Sequence, residues 1–89
     1  YINMDINKLI LIVKEKLESQ ISVENIKIED KSFLHKKHSG NQPGKFHLKI
    51  IIKSDQLKKL TKIQRTQKIY KILDYEIKNF IHSVQILIN

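Results

Sequence analysis

Histidine is the residue whose chemistry the spacing in this chain makes conspicuous. Three of the four histidines, His35, His38 and His47, fall between Ser32 and Leu48. The same stretch holds the only two glycines, Gly40 and Gly44, and the only proline, Pro43. The fourth, His82, is far away in sequence. A neutral imidazole is a metal ligand through one ring nitrogen while a neighbour orients the other. The chain has no cysteine, so it supplies neither thiolates nor disulfides. Any metal it holds must use histidine or oxygen donors, or thiols lent by a partner. Three loop histidines without cysteine are a weak zinc pattern. No Ser/His/Asp motif or phosphate loop appears. Glu29 and Asp30 alternate to opposite faces of a strand, which excludes them as an acid–base pair. These residues point away from an enzyme and toward ligation or partner contact, provided the fold brings His82 back to the loop.

The elements that must do this follow from periodicity. Residues 5–19 predict an amphipathic helix, with Ile6, Leu9, Ile10, Val13 and Leu17 at three- and four-residue steps and Asp5 as its cap. Residues 24–31 alternate, with Ile26 and Ile28 on one face. The histidine-bearing loop follows, long for a hairpin connection, and long loops in compact domains are often functional. Residues 46–53 predict a second strand, with Phe46, Leu48, Ile50 and Ile52 inward and His47, Lys49, Ile51 and Lys53 outward. A turn or short helical piece spans 56–60. A second long helix, capped by Thr61, runs to about Asn79, with Ile63, Tyr70, Leu73 and Ile77 on its inner face and Ile69 and Ile72 beside them. Its wet side is Lys62, Arg65, Lys68, Lys71 and Lys78. Residues 82–88 predict a third strand, with His82, Val84, Ile86 and Ile88 on the core side and His82 at its very start.

This order is α-β-β-α-β, an α+β fold with a three-stranded mixed sheet and two helices packed on one face. The first two strands form an antiparallel hairpin. A strand–helix–strand crossover joins parallel strands, so the third strand runs parallel to the second. Both then start at one end of the sheet. His82 is therefore expected beside the end of the loop, and Arg65 toward the opposite end of the molecule.

Eighty-nine residues suit one small domain, expected over residues 4–89 with Met4 as a natural start and residues 1–3 upstream of it. No run of about 18 apolar residues suggests a membrane span. No secretory signal pattern is visible, so a cytoplasmic protein is expected. The net charge of +8 suits an acidic partner, nucleic acid or an anionic surface. Yet 16 of the 17 basic residues are lysine, a compositional bias that explains most of the charge, whereas phosphate-reading surfaces also recruit arginine.

In sum, the residues resemble the BolA family of small stress-associated, iron–sulfur-linked proteins. Asp30-Lys31-Ser32-Phe33-Leu34-His35-Lys36-Lys37-His38-Ser39-Gly40 is similar to the family's D-x-S-x-x-H-x-x-H-x-G. His47-Leu48 and the apolar run to Ser54 are similar to its H-F strand ending in Ser. Arg65, Ile69, Tyr70 and Leu73 fall on the second helix, and Ile81-His82-Ser83-Val84 is similar to V-H-A-L. The chain departs from the family at Arg65-Thr66-Gln67, where the pattern is R-H-R, and at Leu57 and Lys59 in the turn.

The resemblance implies a class II KH-like fold and partnership with a monothiol glutaredoxin. It implies a [2Fe–2S] cluster shared with that glutaredoxin and glutathione, with none in the isolated protein, in cluster trafficking or in iron and stress regulation. His82 is the implied ligand. The second is His35, matching the family's metal-binding loop position, with His38 able to substitute or to orient it. For His47 a structural or partner-contact role is expected. The alternative is a transcription regulator that contacts DNA through Lys58, Lys59, Lys62, Arg65 and Lys68, although the G-x-x-G loop with which KH modules clamp nucleic acid is missing between the helices. The free protein is expected as a monomer or weak homodimer.

Overall fold

The computed structural model describes residues 5–31 and 46–89. The order is α1 (Ile6–Gln20), β1 (Asn25–Asp30), β2 (Phe46–Lys53), α2 (Asp55–Lys58), α3 (Lys62–Ile72), α4 (Asp74–Asn79) and β3 (Ile81–Ile88). The three strands form one sheet in the order β1-β2-β3. β1 is antiparallel to β2, with Ile26 opposite Ile52 and Ile28 opposite Ile50. β3 is parallel to β2, as the crossover rule requires.

Local chemistry explains where the helices begin. The Asp5 side chain accepts from the Asn7 N–H and caps α1. Ser54 ends β2 and serves two elements at once. Its hydroxyl donates to the Ser22 carbonyl at 2.6 Å and accepts from the Leu57 N–H, which opens α2. Thr61 caps α3 in a reciprocal box with Gln64.

The core lies between the helices and one face of the sheet. Leu9, Val13 and Leu17 of α1 meet Leu48, Ile50 and Ile52 of β2, Leu57 of α2, Ile69 of α3 and Leu73 at the junction of α3 and α4. Each fully buried Leu or Ile contributes roughly 1.5–3 kcal/mol relative to exposure. The opposite face of β2 is less covered: Lys49 and Ile51 are only half-buried.

The crossover differs from the expected single helix in two ways. It divides at Leu73, whose backbone (φ −98°, ψ 16°) leaves the helical range between α3 and α4. Its buried stripe is also turned from the expected one. Ile63 is 70% exposed and Tyr70 42%, whereas Ile69, Leu73 and Glu76 are buried. Those three are spaced four and three apart, a single helical face. Glu76 occupies the core side because the Lys16 ammonium of α1 reaches both its carboxylate oxygens, at 2.9 and 3.1 Å. A buried carboxylate needs such a partner, since an unpaired one carries the whole cost of desolvation. Arg65 and Lys68, expected on the wet side, are partly buried.

Candidate functional site

The site is built at the end of the sheet where β2 and β3 begin. There the parallel ladder is irregular. Phe46 pairs with Ile81 but His47 pairs with Ser83, so His82 is an extra residue set against the Phe46–His47 step. This is a β-bulge, a device that re-aims one side chain without losing the ladder on either side. Above it, Phe46 N–H donates to the Phe80 carbonyl at 2.9 Å; below it, regular pairing resumes at Leu48 and Val84.

The bulge corrects the orientation expected for His82. Strict alternation puts it on the core side with Val84. Instead Ile81 takes the core position, 2% exposed, and His82 is exposed. Its ring lies against that of His47, with centroids 4.9 Å apart and planes tilted by 56°. Both imidazoles belong to the outer face. The expected placement in the chain does hold: His82 is the second residue of β3, at the Phe46–His47 step, and Phe46 is the first described residue after the loop.

His47 is on the outer face, as alternation requires, yet it is only 4% exposed. Its Nδ1 shares a 2.7 Å hydrogen bond with Ser83 Oγ, its partner on the neighbouring strand. Its carbonyl accepts the Lys31 N–H at 2.7 Å. The ring is therefore held by the central strand and by a side-chain bond. The sequence suggests only a structural or contact role for His47, and for Ser83 a place in the strand and the motif but no role. One signal pointed to both. Ile81 and Val84 are three apart, a spacing that strict alternation cannot put on one face. A bulge between them resolves the conflict and brings Ser83 level with His47.

His35 and His38 lie outside the described residues, as does the expectation that residues 1–3 precede the domain. Among the described residues, no group of three or more His, Asp or Glu side chains gathers to hold a metal ion. The donor chemistry of the described part is thus one exposed imidazole with a buried imidazole behind it. This suits a ligand offered outward to a site completed by other donors.

The basic residues sit elsewhere. Arg65 and Lys62 line a cleft of about 230 Å³ with Thr66 and Ile86, Leu87 and Ile88 at the far end of β3. That is the opposite end of the strand from His82, as expected. Arg65 Nη2 donates weakly to the Leu60 carbonyl at 3.5 Å, and its Nε is buried without a hydrogen-bond partner. Lys58, Lys59 and Lys62 are exposed, and Lys68 is half-buried. Lys68 also borders an open groove of about 440 Å³ between α1 and α3, with Lys16, Gln20, Lys71 and Ile72.

A family model described as BolA-like protein matches residues 17–89. The chain belongs to the BolA family. BolA proteins are non-enzymatic, which agrees with the lack of a catalytic motif in the sequence. Among similar proteins is the DNA-binding transcriptional regulator BolA of Haemophilus influenzae, 32% identical over 73 residues, covering 82% of this chain and 68% of that protein. SufE-like protein 1 of Arabidopsis thaliana, chloroplastic/mitochondrial, is 29% identical over 80 residues, 84% of this chain but 22% of its own length. The solved BolA domain of SufE1 from Arabidopsis thaliana superposes with a TM-score of 0.74 at 26% identity, covering 89% of this chain and 87% of that one. BolA1 from Arabidopsis thaliana superposes at 0.73 over the same shares, and at 23% identity it attests the BolA fold alone. Among the described residues of this BolA-like chain, no helix is long and apolar enough to cross a membrane.

Proposed function

We propose that the chain is a BolA-like adaptor that binds a monothiol glutaredoxin and completes a shared [2Fe–2S] site, with His82 as one ligand and His35 or His38 as the other. The observation that carries this reading is the exposed His82 imidazole on its bulge, at the end of the sheet where the histidine-bearing loop rejoins β2. An exposed neutral imidazole offers a lone pair to a metal across an interface. The cysteine-free chain leaves the sulfur donors to the glutaredoxin cysteine and glutathione, a division similar to centres in which two histidines occupy one iron. When bound, the cluster would supply the iron and sulfide that are trafficked or sensed. The chain's own part is to dock, to present two imidazoles, and to leave the thiolate positions to its partner, having no cysteine of its own. The adaptor is assigned to the cytoplasm, as one domain over residues 4–89, a monomer or weak homodimer when free.

The test mixes the protein with a glutathione-loaded, cluster-bearing monothiol glutaredoxin and records visible absorption and circular dichroism. A spectral change is expected with the native protein and its loss with His82→Ala. An unchanged response in His82→Ala overturns the assignment of this ligand. Substituting His35 and His38 separately then identifies the second.

A second reading is favoured by the exposure of Lys58, Lys59 and Lys62 away from His82 and by the name of the Haemophilus relative. In it the protein regulates transcription by binding DNA through Lys58, Lys59, Lys62, Arg65 and Lys68. Binding would then weaken steeply with salt, lose affinity on Lys62→Ala, and ignore His82→Ala.

A further inference from the structure

We propose that His47 is a positioning residue: locked by Ser83, its buried ring holds the His82 imidazole in the orientation in which it is presented. The ligand role of His82 rests on the reading above, but the brace belongs to the protein before any metal arrives.

A residue outside the regular ladder, with an exposed side chain, has little to restrict its rotamers, and an imidazole hopping among staggered wells is a poorly preorganised ligand. Among the described residues, His82 has one aromatic neighbour, His47, at 4.9 Å between ring centroids. That separation and a 56° tilt fall within the range where aromatic rings attract one another. The neighbour is fixed in turn. His47 is 4% exposed, lies on the central strand of the sheet, and shares its Nδ1 with Ser83 Oγ at 2.7 Å. Ser83 is the next residue after His82, so the bulge that turns the exposed ring outward also places the hydroxyl that fixes the ring behind it. Turning His47 would break a part-buried hydrogen bond, and leaving one of its polar atoms unsatisfied is costly. The ring that His82 leans on therefore behaves as a wall. Hydrogen-bonded outer partners orient metal-binding histidines; here the orienting contact is ring against ring.

The test uses the metal-free protein first. NMR side-chain couplings and ring shifts of His82 are measured in the native chain and in His47→Ala, His47→Phe and Ser83→Ala. The native His82 is expected to favour one χ1 rotamer. In His47→Ala that population should fall roughly two-fold toward an average over staggered wells, and the ring-current shift should vanish. His47→Phe keeps an aromatic wall but loses the bond to Ser83, and should restore the pattern to the level seen in Ser83→Ala. Ser83→Ala, at an exposed position that leaves both rings in place, should give a smaller change of the same kind and serves as the probe if His47→Ala does not fold. A His82 whose couplings and shifts match the native values in both His47→Ala and Ser83→Ala overturns the proposal. So does a His47→Phe variant that stays as averaged as His47→Ala.

The same variants are then taken into the cluster-bearing glutaredoxin complex. The visible circular dichroism band shape should change in His47→Ala and recover in His47→Phe as far as it does in Ser83→Ala. The two readings separate cleanly. Averaging of His82 in the metal-free variant supports the brace even if the native protein gives no glutaredoxin-dependent spectrum, a result that would remove the shared-cluster function alone.

Discussion

The two ends of β3 make opposite use of the same strand. At its start the ladder is broken by one surplus residue, and two imidazoles meet on the outer face. At its close the pairing is regular from Leu48–Val84 to Ile52–Ile88, and the strand forms the apolar side of a cleft shared with Lys62, Arg65 and Thr66. Irregularity at one end positions a single side chain. Regularity at the other leaves a cleft that is apolar along the strand and basic along α3. The first arrangement suits one directed bond to a metal, whereas the second suits charge without geometric demand.

Substitutions can break this contrast or sharpen it. The largest expected effect falls on both ends together. Ile50→Ala empties a fully buried position in the middle of β2 and should cost about 2–5 kcal/mol in denaturant unfolding. A loss at that position under about 1 kcal/mol would show that the core collapses around the gap. Next comes the pair that ties the crossover to α1. Lys16→Met leaves the Glu76 carboxylate, its side chain 6% exposed, without its cation and should destabilise by about 1–3 kcal/mol. Replacing both residues with apolar side chains should recover most of that loss, and a double-mutant cycle checks it. The third belongs to the basic end. Thr61→Ala removes the α3 cap and should cost about 1 kcal/mol, with faster amide exchange in the first turn of α3 and none at the histidine end. The smallest effect on stability belongs to the most consequential side chain for the proposed site. His82→Ala, exposed and outside the regular ladder, should shift stability by less than about 0.5 kcal/mol while abolishing the glutaredoxin-dependent spectrum. A large stability loss there would make His82 a structural residue instead.

Much of this was legible in the residues. Alternation in 24–31 and 46–53, helical spacing in 5–19 and the crossover rule together suffice for the α-β-β-α-β order and for a parallel β3. They also place His82 at the loop end of the sheet. The orientation of His82 was not legible, because alternation assumes an unbroken ladder and the bulge adds one residue to it. The inner face of the crossover was misread for a different reason. Ile63, Tyr70, Leu73 and Ile77 recur at helical spacing and define the expected stripe, whereas the buried one runs through Glu76. Only the position of Lys16, sixty residues earlier in the chain, makes a buried carboxylate tolerable there. The pairing of His47 with Ser83 likewise depends on register between strands, which a single sequence does not encode locally.

The counting of residues across the Phe46–His47 step has a consequence for how this chain can change. Because Ile81 and His82 together answer one step on the neighbouring strand, a chain shortened by His82 alone would bring Ser83 into continuous pairing behind Ile81. Most single-residue deletions inside a strand invert every side chain beyond them; this one would heal the sheet. The scaffold carries its outward imidazole as a passenger, so selection could acquire or discard it by an indel without rebuilding the hydrophobic interior.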